Sequence, residues 1–168
     1  MDAETEYKSA LRLSPQYTPA ALNLADLYRQ LHRDDDAETV LRAAISAWPA
    51  EAGPYYALGL TLIRLRHPDE ALSAFRRATE LQPNNARYAY VLAVALHSRG
   101  RVDDAITLLK ENNRQHPNDR DTLIALVTFS RDAGELGDAL RYAQKLAALV
   151  PDDSNFAHLV EQLRRLAN

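Results

Sequence analysis

Five of the eight prolines in this 168-residue chain recur at a constant interval of 34 residues. They are Pro15, Pro49, Pro83, Pro117 and Pro151. Chance does not produce this spacing, so it indicates an internal repeat of 34 residues. Because proline has no backbone N–H and its ring clashes with the preceding helical turn, each of these residues is expected to follow the end of a helix.

The composition favours helices between the prolines. Ala and Leu supply 54 of the 168 residues, and glycine supplies only five. This is a bias toward the strongest helix formers and away from the β-branched and turn residues that strands require. We therefore expect an all-α fold.

Other residues recur in register with the prolines. If each repeat ends two residues after its proline, four complete repeats cover residues 18–51, 52–85, 86–119 and 120–153. Position 7 of each repeat is then a leucine: Leu24, Leu58, Leu92 and Leu126. Position 20 is always an alanine: Ala37, Ala71, Ala105 and Ala139. Position 8 is occupied by Ala25, Gly59, Ala93 and Val127, and position 24 by Leu41, Phe75, Leu109 and Ala143.

These columns resemble the tetratricopeptide repeat family over the whole chain. The resemblance implies an α-α superhelix in which each repeat is a hairpin of a first helix, A, and a second helix, B. Ala143 stands where the other repeats carry a large residue, so the fourth repeat is the least typical. Helix A is expected to start at the N-cap pairs Thr18-Pro19 and Gly53-Pro54. The turns from helix A to helix B are expected at Arg33-Asp34, His67-Pro68, Arg99-Gly100 and Ala133-Gly134.

Both ends of the chain continue the pattern. Ala3, Tyr7 and Ala10 occupy positions 20, 24 and 27 of an earlier repeat, so residues 1–17 are interpreted as a half repeat that has helix B only. Residues 154–168 are interpreted as a capping helix that begins with Ser154 as its N-cap. Its apolar side is expected to consist of Phe156, Leu159, Val160 and Leu163.

The whole chain, residues 1–168, is therefore expected to be one tetratricopeptide repeat domain from the C-terminal part of a longer protein. A half repeat leaves one face of its helix without a partner helix. We expect this face, within residues 2–13, to favour homo-oligomerisation.

The resemblance also implies where a partner would bind. In this family the concave surface is built from helix A residues at positions 2, 5, 9 and 12 or 13. The candidate groove residues are Leu22, Asp26, Tyr56, Leu60, Ile63, Arg64, Arg87, Tyr90, Val94, His97, Ile124, Thr128 and Arg131. An apolar floor with a basic rim suits a protein or peptide ligand that has apolar anchors and acidic flanks.

Two alternatives to this interpretation stay open. Tyr56 and Tyr90 can be packing residues against a neighbouring helix. Arginines near the end of a helix are stabilised by the helix dipole whether or not a ligand binds. The sequence alone does not decide between these roles and ligand binding.

Several classes of function are disfavoured. With 20 Lys and Arg against 23 Asp and Glu, the formal net charge of -3 does not predict binding to nucleic acid. The absence of cysteine removes thiolate metal sites, iron–sulfur clusters and thioether-linked haem. The five histidines stand at five different repeat positions, so no metal site is expected. No catalytic motif is present, so we expect no enzyme activity and no cofactor. No apolar run approaches the roughly 20 residues that span a bilayer, so no membrane insertion is expected.

A second hypothesis concerns the parent protein. The segments Ala21–Tyr28, Asn85–Tyr90 and Ala95–Gly100 are similar to bacterial tetratricopeptide segments, including those that follow multihaem cytochrome c domains. This similarity implies an assembly or accessory module of a larger redox protein, with any haem upstream of this chain. A cytoplasmic and a periplasmic location both remain compatible with the sequence.

Overall fold

The computed structural model describes residues 2–166, and these residues form ten α-helices and no β-strand. The all-α, helical-repeat fold class expected from the sequence is confirmed. The helices are α1 (Ala3–Leu13), α2 (Thr18–Gln30), α3 (Asp34–Ala47), α4 (Ala52–Arg64), α5 (Pro68–Leu81), α6 (Ala86–Ser98), α7 (Val102–Gln115), α8 (Arg120–Asp132), α9 (Leu136–Leu149) and α10 (Ser154–Leu166).

The helices follow the 34-residue period. Helices α2, α4, α6 and α8 are the A helices, and each packs on the B helix that follows it. Every B helix, α1 included, ends two residues before a proline of the 34-residue series. The chain divides into two compact units, the first ending at Pro83 and the second beginning at Asn84. Unit 1 holds α1–α5, and unit 2 holds α6–α10.

The conserved columns of the repeat form the core of each unit. All four leucines at position 7 and all four alanines at position 20 are buried. Small residues at position 20 allow the backbones of helices A and B to approach closely, and the leucines fill the remaining space. The repeat register derived from the prolines therefore places the core residues correctly.

The tightest contact between helices A and B involves Gly59 in α4 and Phe75 in α5. A Cβ atom at position 59 would lie 2.5 Å from Cδ1 and 2.8 Å from Cζ of the Phe75 ring, closer than van der Waals contact allows. These residues stand at positions 8 and 24 of the repeat. The first and third repeats have Ala at position 8 and Leu at position 24, and the fourth has Val127 and Ala143. All six of these side chains are buried. A larger residue at one position thus accompanies a smaller one at the other, which accounts for the unusual Ala143.

The turns between helices A and B share one backbone feature. The residue at position 15 has a positive φ in every repeat: 58° at His32, 63° at Arg66, 74° at Gly100 and 79° at Gly134. Glycine adopts this left-handed conformation readily, whereas a residue with a Cβ atom incurs a cost of roughly 1–2 kcal/mol. The predicted turns at Arg99-Gly100 and Ala133-Gly134 lie within the observed turns, whereas Asp34 and Pro68 are already the first residues of α3 and α5. Only two of the four turns use glycine at position 15.

The predicted N-caps are wrong by one residue or more. Thr18, Ala52 and Ser154 are already the first helical residues of α2, α4 and α10, and Gly53 lies inside α4. The capping position is position 34 of the preceding repeat. Asn85 accepts hydrogen bonds there from the N–H groups of Arg87 and Tyr88, and Asp119 accepts one from the N–H of Thr122. Tyr17 and Glu51 occupy the same position without a capping hydrogen bond from their side chains.

Helix α1 is attached to α2 and to the turn that follows α2 through Glu4. Its carboxylate accepts hydrogen bonds from Tyr28 Oη at 2.9 Å, Lys8 Nζ at 2.6 Å and Arg33 Nη1 at 2.9 Å. The Tyr28 ring is buried, and the Arg33 guanidinium lies 4.3 Å from its centroid. The hydrogen bond from Lys8, followed by that from Tyr28, lowers the pKa of Glu4 from 4.5 to about 2.

At the other end, α10 packs on α9 as the capping helix predicted from the sequence. Val160 and Leu163 are buried, Phe156 and Leu159 are half-buried, and Glu161 and the other polar residues of the opposite side are exposed. Residues 167 and 168 of the predicted capping segment lie outside the described residues. Within residues 2–166, every helix is too short or too polar to cross a bilayer.

We expect Gly59→Ala and Phe75→Leu to compensate each other. Gly59→Ala alone should lower the free energy of unfolding by about 1–3 kcal/mol, because the new methyl group overlaps the enclosed ring. The double variant recreates the Ala–Leu pair of the first and third repeats. Its loss should therefore be smaller than the sum of the two single losses, with a coupling of about 0.5–3 kcal/mol. Urea unfolding of the four proteins measures this cycle, and additive losses would contradict the packing rule.

We also expect Glu4 to stabilise the protein in a pH-dependent way. Since its pKa is about 2 in the folded protein and ordinarily 4.5, the carboxylate stabilises the fold above pH 4.5, and this contribution disappears as the pH falls toward 2. Glu4→Gln should therefore lower the Tm at pH 7, and the difference from the wild type should shrink between pH 5 and pH 2. Thermal unfolding monitored by circular dichroism measures the Tm of the variant and of the wild type at each pH. Glu6→Gln, an exposed carboxylate on the same helix, is the control, and a gap that stays constant down to pH 2 would refute the prediction.

Candidate functional site

The largest cavity among those described in unit 1 lies between α2 and α4. It has a volume of about 580 Å³ and is open to solvent. We call it the α2–α4 cleft. Its lining consists of Asp26, Arg29, Gln30, His32, Leu60, Ile63 and Arg64. The cleft forms because both A helices turn their core positions toward the B helices, which leaves positions 9, 12 and 13 on the opposite side.

The floor of the cleft is apolar. Leu60 is half-buried, and 46% of Ile63 is exposed although it is a large hydrophobic residue. The other two apolar groove candidates of unit 1 do not line the cleft. Leu22 packs against the backbone of α4, where a Cβ atom on Gly53 would lie 3.2 Å from its Cδ1. Tyr56 packs against Phe75, with ring centroids 6.1 Å apart and planes tilted by 51°.

The charged groups of the cleft are paired with one another. Arg29 Nη2 lies 2.8 Å from Asp26 Oδ1, and Gln30 donates a hydrogen bond to the other oxygen of Asp26. Arg64 Nε lies 2.6 Å from Asp34 Oδ1, and its Nη2 lies 3.4 Å from His32 Nδ1. The hydrogen bond from Arg64 to Asp34 raises the pKa of a guanidinium that is already charged near neutral pH. Two arginines and two carboxylates balance, so the positive rim expected from the sequence is neutral here.

In unit 2, the A-helix face of α6 and α8 is also apolar with paired charges. Val94 and Ile124 are each 39% exposed, and Tyr90 is half-buried. Arg87 Nη1 lies 3.2 Å from Asp121 Oδ2, and its guanidinium carbon lies 5.4 Å from the centroid of the Tyr90 ring. The tyrosine thus has a cation–π partner within its own unit.

The remaining candidates of unit 2 also have partners. His97 stacks on Phe129, with ring centroids 3.9 Å apart and planes 10° apart. The Thr128 hydroxyl donates a hydrogen bond to the carbonyl oxygen of Ile124. Arg131 Nη2 lies 3.2 Å from Asp132 Oδ1. These contacts supply a structural role for each side chain, and they leave Val94 and Ile124 as the exposed apolar surface of this face.

The structure therefore brings four of the thirteen candidates together in one cleft: Asp26, Leu60, Ile63 and Arg64. Sequence reasoning omitted Gln30 and His32 from the site and interpreted Asp34 only as part of the turn between helices A and B. The spacing of Asp26 and Arg29 by three residues on one helix was a usable signal. The sequence offered no comparable signal for the pairing of Asp34 with Arg64, because these residues belong to different repeats. Among residues 2–166, no group of three or more His, Asp or Glu side chains is placed to hold a metal ion.

Comparisons with known proteins agree with this architecture. Two tetratricopeptide repeat models match the chain, one over residues 56–120 and the other over residues 2–58 and 96–163. A search of curated proteins found no significant match.

Solved structures of the same fold superpose over nearly the whole chain. The crystal structure of MamA has a TM-score of 0.78 at 22% identity and covers 90% of this chain and 89% of its own. YrrB, described as a TPR protein with an unusual peptide-binding site, has a TM-score of 0.74 at 22% identity and covers 92% and 80%. PilW, described as a type IV pilus biogenesis factor, has a TM-score of 0.74 at 23% identity and covers 96% and 81%. Since the second repeat model alone matches well over half of the residues, the chain belongs to the tetratricopeptide repeat family.

Proposed function

We propose that this protein is a non-catalytic interaction module that binds a partner protein or peptide on the faces of its A helices. The observation that carries the proposal is the exposure of Ile63, Val94 and Ile124 on these faces, away from the helix pairs that form the core. Large aliphatic side chains grouped on one exposed face usually mark a binding surface. Unit 1 and unit 2 each supply such a face.

The α2–α4 cleft in unit 1 is the strongest single candidate on these faces. Its volume of about 580 Å³ lies within the range of roughly 300–1,000 Å³ typical of ligand pockets. It combines an apolar floor with fixed polar groups at its edge, an arrangement that anchors one side chain and orients the segment that carries it. The description of YrrB as a peptide-binding protein of the same fold supports this kind of ligand.

The expected energetics favour several modest anchors over one strong one. Covering an aliphatic side chain such as Ile63 contributes about 1.5–3 kcal/mol. One anchor of this size does not offset the entropy lost on association. A partner segment that contacts Leu60 and Ile63 in unit 1, or Val94 and Ile124 in unit 2, would combine two such contributions.

We predict that Ile63→Ser weakens peptide binding by about tenfold or more, because it removes an apolar anchor worth more than 1.4 kcal/mol. The probe is a set of peptides selected on the full chain from a displayed library of random 12-residue sequences. Binding of the selected peptides is then measured by fluorescence anisotropy for the wild type and the variants. Leu149→Ser is the matched control, since Leu149 is a similarly exposed aliphatic residue on a B helix. Equal losses for both variants, or a library that yields no binder, would refute the proposal.

Self-association through α1 is a second candidate, and the burial pattern of the repeat favours it. In the four complete repeats, the residues at positions 20, 24 and 27 are buried against helix A. In α1, by contrast, Ala3 is exposed at position 20, and Tyr7 and Ala10 are only half-buried at positions 24 and 27. A second copy of α1, related by twofold symmetry, would cover this face on both molecules.

If this surface self-associates, the molar mass measured by light scattering should rise toward that of a dimer with protein concentration. Ala10→Arg should keep the protein monomeric, because it places a long charged side chain in the centre of the contact. Thr5→Arg, on an exposed position of the same helix, should not. A wild-type protein that stays monomeric over the whole concentration range would eliminate this candidate and leave the A-helix proposal intact.

The hypothesis of an accessory module in a larger multihaem redox protein rests on sequence similarity alone. It is compatible with either mode of binding, because the module would then hold a neighbouring domain or subunit rather than a free ligand.

A further inference from the structure

The charges around the α2–α4 cleft are arranged in two closed pairs. Arg29 is bound to Asp26, and Arg64 is bound to Asp34, at N–O distances of 2.8 Å and 2.6 Å. The carboxylate of one pair and the guanidinium of the other are the more exposed groups: 54% of the Asp26 side chain and 40% of the Arg64 side chain are accessible. An incoming ion of either sign would therefore meet one like charge and one opposite charge, and would gain little net attraction.

Backbone contacts hold both arginines in these positions. Arg29 Nη1 donates a hydrogen bond to the Ala57 carbonyl oxygen at 3.4 Å, which joins α2 to α4. Arg64 Nη2 donates one to the Arg29 carbonyl oxygen at 3.2 Å. A guanidinium that reoriented toward a ligand would weaken its hydrogen bonds to a carboxylate and a carbonyl oxygen. A partner carboxylate that binds either arginine therefore competes with hydrogen bonds that are already made. An apolar side chain that covers Leu60 and Ile63 breaks no such hydrogen bond.

We propose that the α2–α4 cleft accepts an uncharged, apolar side chain of the partner, and that Asp34 sets this specificity by neutralising Arg64. The inference rests on the proposed binding function and deepens it. It departs from the sequence-based expectation of a ligand with acidic flanks. Asp34 acts through Arg64, so it is a positioning residue at the edge of the cleft.

The proposal implies a specific change of preference. In Asp34→Asn, the Arg64 guanidinium keeps a hydrogen-bonding neighbour of the same shape but loses its counter-charge. The cleft then gains one net positive charge and should accept an anionic side chain. Asp35→Asn is the matched control, because it removes the same charge from the next residue at the start of α3, where the carboxylate does not contact Arg64.

The test uses two small probes, N-acetyl-leucine N-methylamide, which is neutral, and N-acetyl-aspartate N-methylamide, which is anionic. Both are titrated into the full chain while the methyl resonances of Leu60 and Ile63 are followed by NMR. In the wild type, the neutral probe should bind at least about fivefold more tightly than the anionic one. In Asp34→Asn, the affinity for the anionic probe should rise by about tenfold, and in Asp35→Asn it should stay at the wild-type value.

Three results would overturn the inference. The first is equal or tighter binding of the anionic probe to the wild type, and the second is the same response in Asp34→Asn and Asp35→Asn. The third is a titration in which the neutral probe leaves the Leu60 and Ile63 methyl resonances unchanged. Because peptides selected from the library test the A-helix surface independently, binders that depend on Ile63 would retain the proposed function even if this specificity fails.

Discussion

The close crossing of helices A and B is the contact on which each repeat depends. It is made by the invariant alanine at position 20 and by a pair of residues at positions 8 and 24 that share a limited volume. In the second repeat the sharing is extreme, since Phe75 fills the space that a Cβ atom on Gly59 would need. Close-packed interiors tolerate exchange of volume between neighbours better than a net change. The pair can therefore vary between repeats while the helix crossing stays the same.

This packing also decides which residues are available for binding. Helix A uses positions 7 and 8 for its contact with helix B. Because residues three or four apart share a helix face, positions 5, 9 and 12 lie together on a different face of helix A. This face packs less completely than the face toward helix B, although Leu22 and Tyr56 at position 5 contact neighbouring helices. Ile63, Val94 and Ile124 are exposed for this reason, and their aliphatic character is not required by the core. The proposed partner would cover these side chains on the A-helix faces.

The sequence predicted the parts of the structure that depend on periodicity. The prolines gave the helix ends, and the columns gave the buried residues, because both recur in every repeat. It failed where local chemistry varies from one repeat to the next. His32 and Arg66 adopt a left-handed backbone conformation that their residue types do not predict. The N-cap of α2 is Tyr17, one residue before the Thr18 chosen from the local sequence. The neutral rim was missed because the partner of Arg64 is Asp34, 30 residues earlier in another repeat.

Because Arg29 and Arg64 are paired with carboxylates, they affect ligand binding differently from unpaired arginines. A lone guanidinium beside an apolar floor would lose hydration when a ligand covers it, and this penalty would offset much of the gain from apolar burial. A guanidinium that is already held by a carboxylate and a backbone carbonyl keeps these hydrogen bonds when the water is displaced. The ion pairs therefore lower the cost of covering Leu60 and Ile63. In this cleft the charged residues serve to make an apolar contact possible, and they do so without attracting a charged ligand.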